Sequence, residues 1–162
     1  MISRKPTGTL LISDVHPGKV LYLLSTGTGL APFLSIVKDP ETYERFDHVV
    51  VVHGVREVAD LAYADYFRKE LPQHEYLGEQ ISRQMHYVPV VSREPFAMQG
   101  RVTTLLENGT IPRALGFAEL NPETDRAMIC GSPAMLADFR QILDKRGFVA
   151  SSRIGQAGHY VF

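Results

Sequence analysis

Five short apolar runs punctuate the chain, at residues 20–24, 49–53, 86–91, 127–130 and 159–162. They are rich in Val, Ile and Tyr and are continuous rather than alternating. That is the pattern of strands buried on both faces, as in a parallel sheet. The segments between them read differently. Residues 59–71 carry Leu61, Ala62, Tyr66 and Phe67 at roughly helical spacing and stop before Pro72. Residues 133–146 carry Met135, Leu136, Phe139, Ile142 and Leu143, with Ser132 suited to the N-cap, Pro133 to the first helical position and Gly147 to the C-cap. Shorter helices are expected at 31–37, 78–84 and 101–107. This alternation predicts an α/β fold, a doubly wound five-stranded parallel sheet with helices on both faces and right-handed crossovers.

The first 19 residues break the pattern. Residues 3–13 read as turn-rich extended chain leading into Pro17-Gly18, more like the tail of a preceding domain than the start of this one. The chain stops inside an apolar run, Tyr160-Val161-Phe162. The expected division is residues 1–17 as the remnant of a preceding unit or linker and residues 18–162 as one α/β domain, the whole a piece of something longer.

Composition narrows the function classes. A net charge of −1 leaves no global basic field for nucleic acid, so any anion must be read by local groups. The apolar runs are too short to span a bilayer, and MISRKPTGTL lacks the apolar core of a signal peptide. One cysteine excludes an internal disulfide framework and fits a reducing compartment, so a cytoplasmic location is expected. The six histidines, at 16, 48, 53, 74, 86 and 159, show no metal-ligand spacing, and no metal is expected. His53 reads as closing a strand. Tyr63, Tyr66 and Phe67 read as packing residues rather than a stacking platform, and Met128 and Met135 as core.

The candidate chemistry begins where the first strand ends, in Ser25-Thr26-Gly27-Thr28-Gly29-Leu30-Ala31-Pro32-Phe33. In an open α/β sheet ligands sit off the carboxyl ends of the strands. Glycines in that turn permit positive φ and let a phosphate approach the main chain. A helix starting near Leu30, Ala31 and Pro32 would aim its free N–H groups at the same point, and Thr26 and Thr28 add hydroxyls. This is a site suited to a pyrophosphate. The P-loop string, the third glycine of the full dinucleotide fingerprint (position 32 is proline) and the nucleophile elbow are all missing. A Gly-x-Gly turn by itself fits a ligand-free β-to-α turn equally well.

The longer string LSTGTGLAPFLSI resembles the nicotinamide-nucleotide domain of the ferredoxin–NADP reductase family, in particular the bacterial ferredoxin (flavodoxin)–NADP reductases. SRKPTGTL before the first strand, VVHGVRE after the second, VSREP after the third, then QGRVTTLL and AMICGSPAML continue the match in order. The resemblance covers essentially the whole chain. It implies the NADP-binding α/β half of an enzyme whose other half is a flavin-binding antiparallel barrel. Such an enzyme moves electrons between NADPH and ferredoxin or flavodoxin through FAD.

Discriminating NADP from NAD requires a cation site for the 2′-phosphate, and arginine's planar fork suits it. Ser92 and Arg93 follow the third strand, and Arg101 follows Gly100 at the mouth of the next helix. By resemblance these three hold the 2′-phosphate, and Arg56 lies along the nucleotide. Glu57 could argue for NAD through a ribose contact, but the family reads the adenosine end mainly off the third strand, where the residues are basic. Cys130-Gly131-Ser132-Pro133 closes the fourth strand and opens a helix, placing the cysteine near dipoles that stabilise a thiolate. By resemblance Cys130 packs beside the nicotinamide and places its reacting carbon, while Gly131, Ser132 and Pro133 complete the cofactor corner. Read without the family, a small buried hydrophobe is the preferred reading of Cys130.

The chain departs from the family in two places. The flavin motif arginine-x-tyrosine-serine does not occur in it, and the tail that follows the last strand in bacterial members is missing. NADP(H) is therefore the expected cofactor, with FAD bound by the complete enzyme and the flavin domain present in cis or in trans. A non-catalytic NADP-binding or docking domain, and the nucleotide domain of a related flavin reductase with another electron acceptor, remain the alternatives.

Overall fold

The computed structural model describes residues 10–27, 29–152 and 155–162. Thr28, and most of the SRKPTGTL segment, lie outside the described residues. The elements in chain order are β1 (Val20–Thr26), α1 (Ala31–Val37), α2 (Pro40–Arg45), β2 (His48–Val55), α3 (Gly78–Gln84), β3 (Met85–Val91), α4 (Val102–Glu107), α5 (Thr110–Ala114), β4 (Asp125–Cys130), α6 (Pro133–Lys145) and β5 (Tyr160–Val161). The strands form one parallel sheet in the order β3-β2-β1-β4-β5. No helix among the described residues is long and apolar enough to cross a membrane.

The continuous apolar runs follow from this architecture. Alternate residues of one strand point to opposite faces. Leu21, Leu23, Val49 and Val51 pack on one face with Phe33, Ile36 and Val37 of α1 and Ile81 of α3. Tyr22, Leu24, Val50 and Val52 pack on the other with Val102, Leu105 and Leu106 of α4 and Phe139 and Leu143 of α6. Both faces are covered, so neither set of positions can be polar. The segment ahead of β1 packs here too. Ile12 and Val15 are buried in the first of these cores, and Val15 bridges to Gly158.

The expected helix over 59–71 does not form as one α-helix. A 3-10 turn occupies Val58–Asp60, closed by a capping box between Glu57 and Asp60. A π-turn follows at Tyr66–Glu70 and a second 3-10 turn at Leu71–Gln73. Pro72 has no N–H to offer, and its ring crowds the carbonyl four residues earlier, so the preceding turn widens rather than continuing as α. Phe67 still reaches the core, stacked at 4.8 Å on Tyr87. Helix α2 was not expected, although Asp39, whose carboxylate accepts from the Glu41 amide at 3.0 Å, and Pro40 at its first turn form a recognisable start. Met128 is core, and Met135 is only partly buried. The strand pairing also brings together residues far apart in sequence: His48 Nδ1 lies 3.1 Å from His86 Nε2.

Candidate functional site

The strand order decides where a site can open. β1 lies between β2 and β4, α1 packs on one face and α6 on the other, so the connections leaving β1 and β4 lead to opposite faces of the sheet. A crevice at the carboxyl ends of two such strands is the place where open α/β sheets take ligands.

The two connections also touch each other. A Cβ on Gly29 would stand 2.5 Å from the Cys130 carbonyl oxygen, and one on Gly131 would stand 2.6 Å from Thr26 Oγ1. Glycine at these two positions lets one loop close on the other. Gly27 is different: its φ is +57°, and a Cβ there would meet nothing within 4 Å. Its N–H donates to the Gly54 carbonyl at 2.9 Å, and the Gly29 N–H donates to the Thr26 carbonyl at 3.0 Å. These two amides are used inside the protein. The donors this corner can offer come from the first turns of α1, at Leu30 and Ala31, and of α6, where helices leave N–H groups without intrahelical acceptors. Pro32 and Pro133 supply none.

α6 begins as its sequence signature indicates. Ser132 Oγ accepts from the Met135 amide at 3.3 Å. Cys130 ends β4 half-buried, in register with Ser25, whose hydroxyl is buried and donates to the Val52 carbonyl at 3.0 Å. Burial pushes the Cys130 thiol above its ordinary value, so it stands as a neutral, polarisable side chain.

The basic residues gather at the neighbouring strand ends. The Ser92 amide donates to the Val55 carbonyl at 3.0 Å, and the Arg93 amide to the Arg56 carbonyl at 2.9 Å, so the β2–β3 pairing runs on past both strands and sets Arg56 and Arg93 side by side. The chain then folds back. The Val91 amide donates to Met98 at 3.1 Å and the Gly100 amide to Val91 at 2.9 Å, which returns Arg101, the N-cap residue of α4, to the same edge. Arg56, Arg93 and Arg101 are all exposed, and among the described residues none is paired with a carboxylate. Ser92 is half-buried beside them.

The nearby acids are occupied elsewhere. Glu57 and Asp60 cap each other's backbone, and Glu94 Oε2 accepts from the Val58 amide at 2.8 Å. Three carboxylates thus tie down the turn that follows Arg56, and none of them pairs with the three guanidiniums. The Glu57 carboxylate accepts from the Asp60 amide in this turn.

Two residues of this corner escaped the sequence reading. Glu94 gave no signal of its own beyond following Ser-Arg. His53 did: it is a polar residue inside an otherwise apolar run. It does not merely close β2. It is 2 % exposed, and its Nε2 lies 2.9 Å from the Gly27 carbonyl oxygen. Burial pushes its pKa below the ordinary histidine value, with the Gly27 bond acting in the opposite sense.

Comparison with known proteins places this geometry. Residues 23–141 match the family of oxidoreductase NAD-binding domains. The chain is 55% identical over 161 residues to a ferredoxin–NADP reductase of Pseudomonas aeruginosa, covering 99% of this chain and 62% of that protein. A ferredoxin–NADP reductase of Azotobacter vinelandii is 53% identical over the same shares. The crystal structure of a ferredoxin NADP+ reductase from Neisseria gonorrhoeae, described with bound FAD and NADP, superposes with a TM-score of 0.79 at 36% identity, covering 96% of this chain and 60% of that one. The chain thus spans about three fifths of the length of these relatives. The match over residues 23–141 makes the chain a member of the family of oxidoreductase NAD-binding domains, and the relatives it is similar to are ferredoxin–NADP reductases.

Proposed function

We propose that this chain is the NADP(H)-binding module of a flavin-dependent ferredoxin/flavodoxin–NADP reductase, and that it places nicotinamide for hydride exchange with FAD. The observation that carries this reading is the set of three arginines at the β2–β3 edge that, among the described residues, pair with no carboxylate. Ser92, Arg93 and Arg101 hold the 2′-phosphate, with two guanidinium forks meeting it from two sides. Arg56 follows the nucleotide toward the crevice. The pyrophosphate lies against Thr26 to Pro32, with Thr28 part of this proposal, and meets the opening amides of α1. Cys130, with Gly131, Ser132 and Pro133, packs against the nicotinamide. Its neutral thiol exchanges no proton and acts by contact, fixing the ring's position. The flavin supplies the conversion of a hydride into single electrons, chemistry that no amino-acid side chain of this chain can carry out.

A flavin-binding domain, joined to residues 1–17 or supplied in trans, completes the enzyme, with ferredoxin or flavodoxin as its electron partner. The single cysteine favours a cytoplasmic setting. Calorimetric titration with NADP⁺ and NAD⁺ tests the core of the reading. NADP⁺ should bind selectively, and Arg93→Ala should weaken it about tenfold or more, as loss of a charge-assisted bond does, while leaving NAD⁺ unchanged. Equal affinity for the two nucleotides would sink the 2′-phosphate assignment. NADPH-dependent dye reduction by the chain together with its flavin domain tests the enzyme reading.

A further inference from the structure

The Gly27 peptide is held at both of its polar groups by consecutive residues of β2. Its N–H donates to the Gly54 carbonyl at 2.9 Å, and its carbonyl oxygen lies 2.9 Å from His53 Nε2. A carbonyl can only accept, so Nε2 carries the proton and donates. His53 Nδ1 is buried with no hydrogen-bond partner among the described residues. A second proton there would point at nothing, and burial holds the pKa of this imidazole down. The ring is therefore neutral, in one tautomer, and its Nε2–H holds the carbonyl of a loop glycine whose φ is +57°.

That carbonyl matters because of where it is. Gly27 directly follows β1, in the loop that the nucleotide-binding reading assigns to the pyrophosphate. An oxygen turned toward a phosphate would set its negative dipole end against an anion. We propose that His53 is a positioning residue for the nucleotide loop, its Nε2–H drawing the Gly27 carbonyl against β2 and away from the pyrophosphate. This rests on the nucleotide-binding reading above. It gives the buried histidine in the VVHGV run a role in cofactor affinity, not only in strand packing.

Two ligands separate this role from a structural one. NADP⁺ contains the pyrophosphate; adenosine 2′-phosphate carries the 2′-phosphate group but no pyrophosphate. Both are titrated calorimetrically into the wild-type chain and into His53→Gln, His53→Asn and His53→Phe, with thermal melts alongside. Gln carries an amide donor near the Nε2 position, Asn is too short to reach Gly27, and Phe fills the space with no donor. His53→Phe and His53→Asn should weaken NADP⁺ about tenfold, the scale of one lost hydrogen bond in a buried setting. Adenosine 2′-phosphate should stay within about twofold, and His53→Gln should recover most of the NADP⁺ affinity. Proportional loss of both ligands, or unchanged NADP⁺ binding in Asn and Phe, overturns the proposal. If Phe does not fold, the Gln–Asn comparison decides. Wild-type chain that binds neither ligand removes the nucleotide reading itself, and this proposal with it.

Discussion

Gly27 and Gly29 stand two residues apart in one loop, yet the structure requires glycine at them for different reasons, and substitution should separate the two. An alanine Cβ at 29 would lie 2.5 Å from the Cys130 carbonyl oxygen, 2.9 Å from its carbonyl carbon and 3.1 Å from the Thr26 oxygen. All three are backbone atoms, which cannot rotate away. A relaxed carbon–oxygen contact needs roughly 3.3 Å, so the β1–α1 and β4–α6 connections must part by roughly 0.8 Å. Overpacking of this kind costs about 1–3 kcal/mol. For a chain of this size each kcal/mol lowers the melting temperature by about 2–4 °C, so Gly29→Ala should melt about 2–12 °C below wild type. At Gly27 there is space, and the cost comes only from φ, about 1 kcal/mol for alanine in the left-handed region. Asparagine tolerates that region, so Gly27→Asn should come back toward wild type, while Gly29→Asn should be at least as damaging as Gly29→Ala. Thermal melts followed by circular dichroism, with urea midpoints as a check, read the difference. A Gly29→Ala melt within about 1 °C of wild type, or rescue by asparagine at 29 as at 27, would refute the claim that the two loops meet through that missing side chain.

Other consequences can be measured in the same way. Arg126 is nearly buried and donates to three carbonyls, those of His16 (3.2 Å), Pro122 (2.7 Å) and Asp125 (2.6 Å), tying the segment before β1 to the start of β4. Arg126→Ala should lower the urea-extrapolated stability by about 2–4 kcal/mol, because the carbonyls are left without their donor inside the protein; a loss below about 0.5 kcal/mol would show that water replaces it freely. Stability should also fall on acidification. Burial holds His53 and His86 below the ordinary histidine pKa, with the neighbouring His48 adding to the effect at His86. The unfolded chain therefore takes up more protons, and stability that is present above about pH 6.5 is lost as pH drops toward the folded values, at up to about 1.4 kcal/mol per pH unit for each group. Asp125, whose carboxyl is pushed up by burial, works in the opposite sense at lower pH. Urea midpoints at pH 7.5 and 5.5 check the sign, and equal or greater stability at pH 5.5 would contradict it.

The sequence by itself determined the elements and the chemistry available to them. Strands buried on both faces leave unbroken apolar runs, and short helices leave caps, so α1 and α3 fall at the expected residues and α6 runs from Pro133 to within one residue of the expected end. Motifs in fixed order carried the family and named the arginines. What the sequence could not determine was contact between segments. Strand order is one such case: nothing local says that β4 returns to the far side of β1, and that return brings the β1–α1 and β4–α6 connections together. The turns after β2 are another, because Leu61, Ala62, Tyr66 and Phe67 keep a helical spacing while Pro72 and the Glu57–Asp60 capping box redirect the backbone. The environment of each side chain is the third. Whether Cys130 is a thiolate or a neutral thiol, and whether His53 fills space or holds a carbonyl, depends on desolvation and on a partner many residues away. Periodicity and capping act within one turn or one strand and are written in neighbouring letters. Burial, close approach and long-range hydrogen bonds are set by the sheet, and only the tertiary structure decides them.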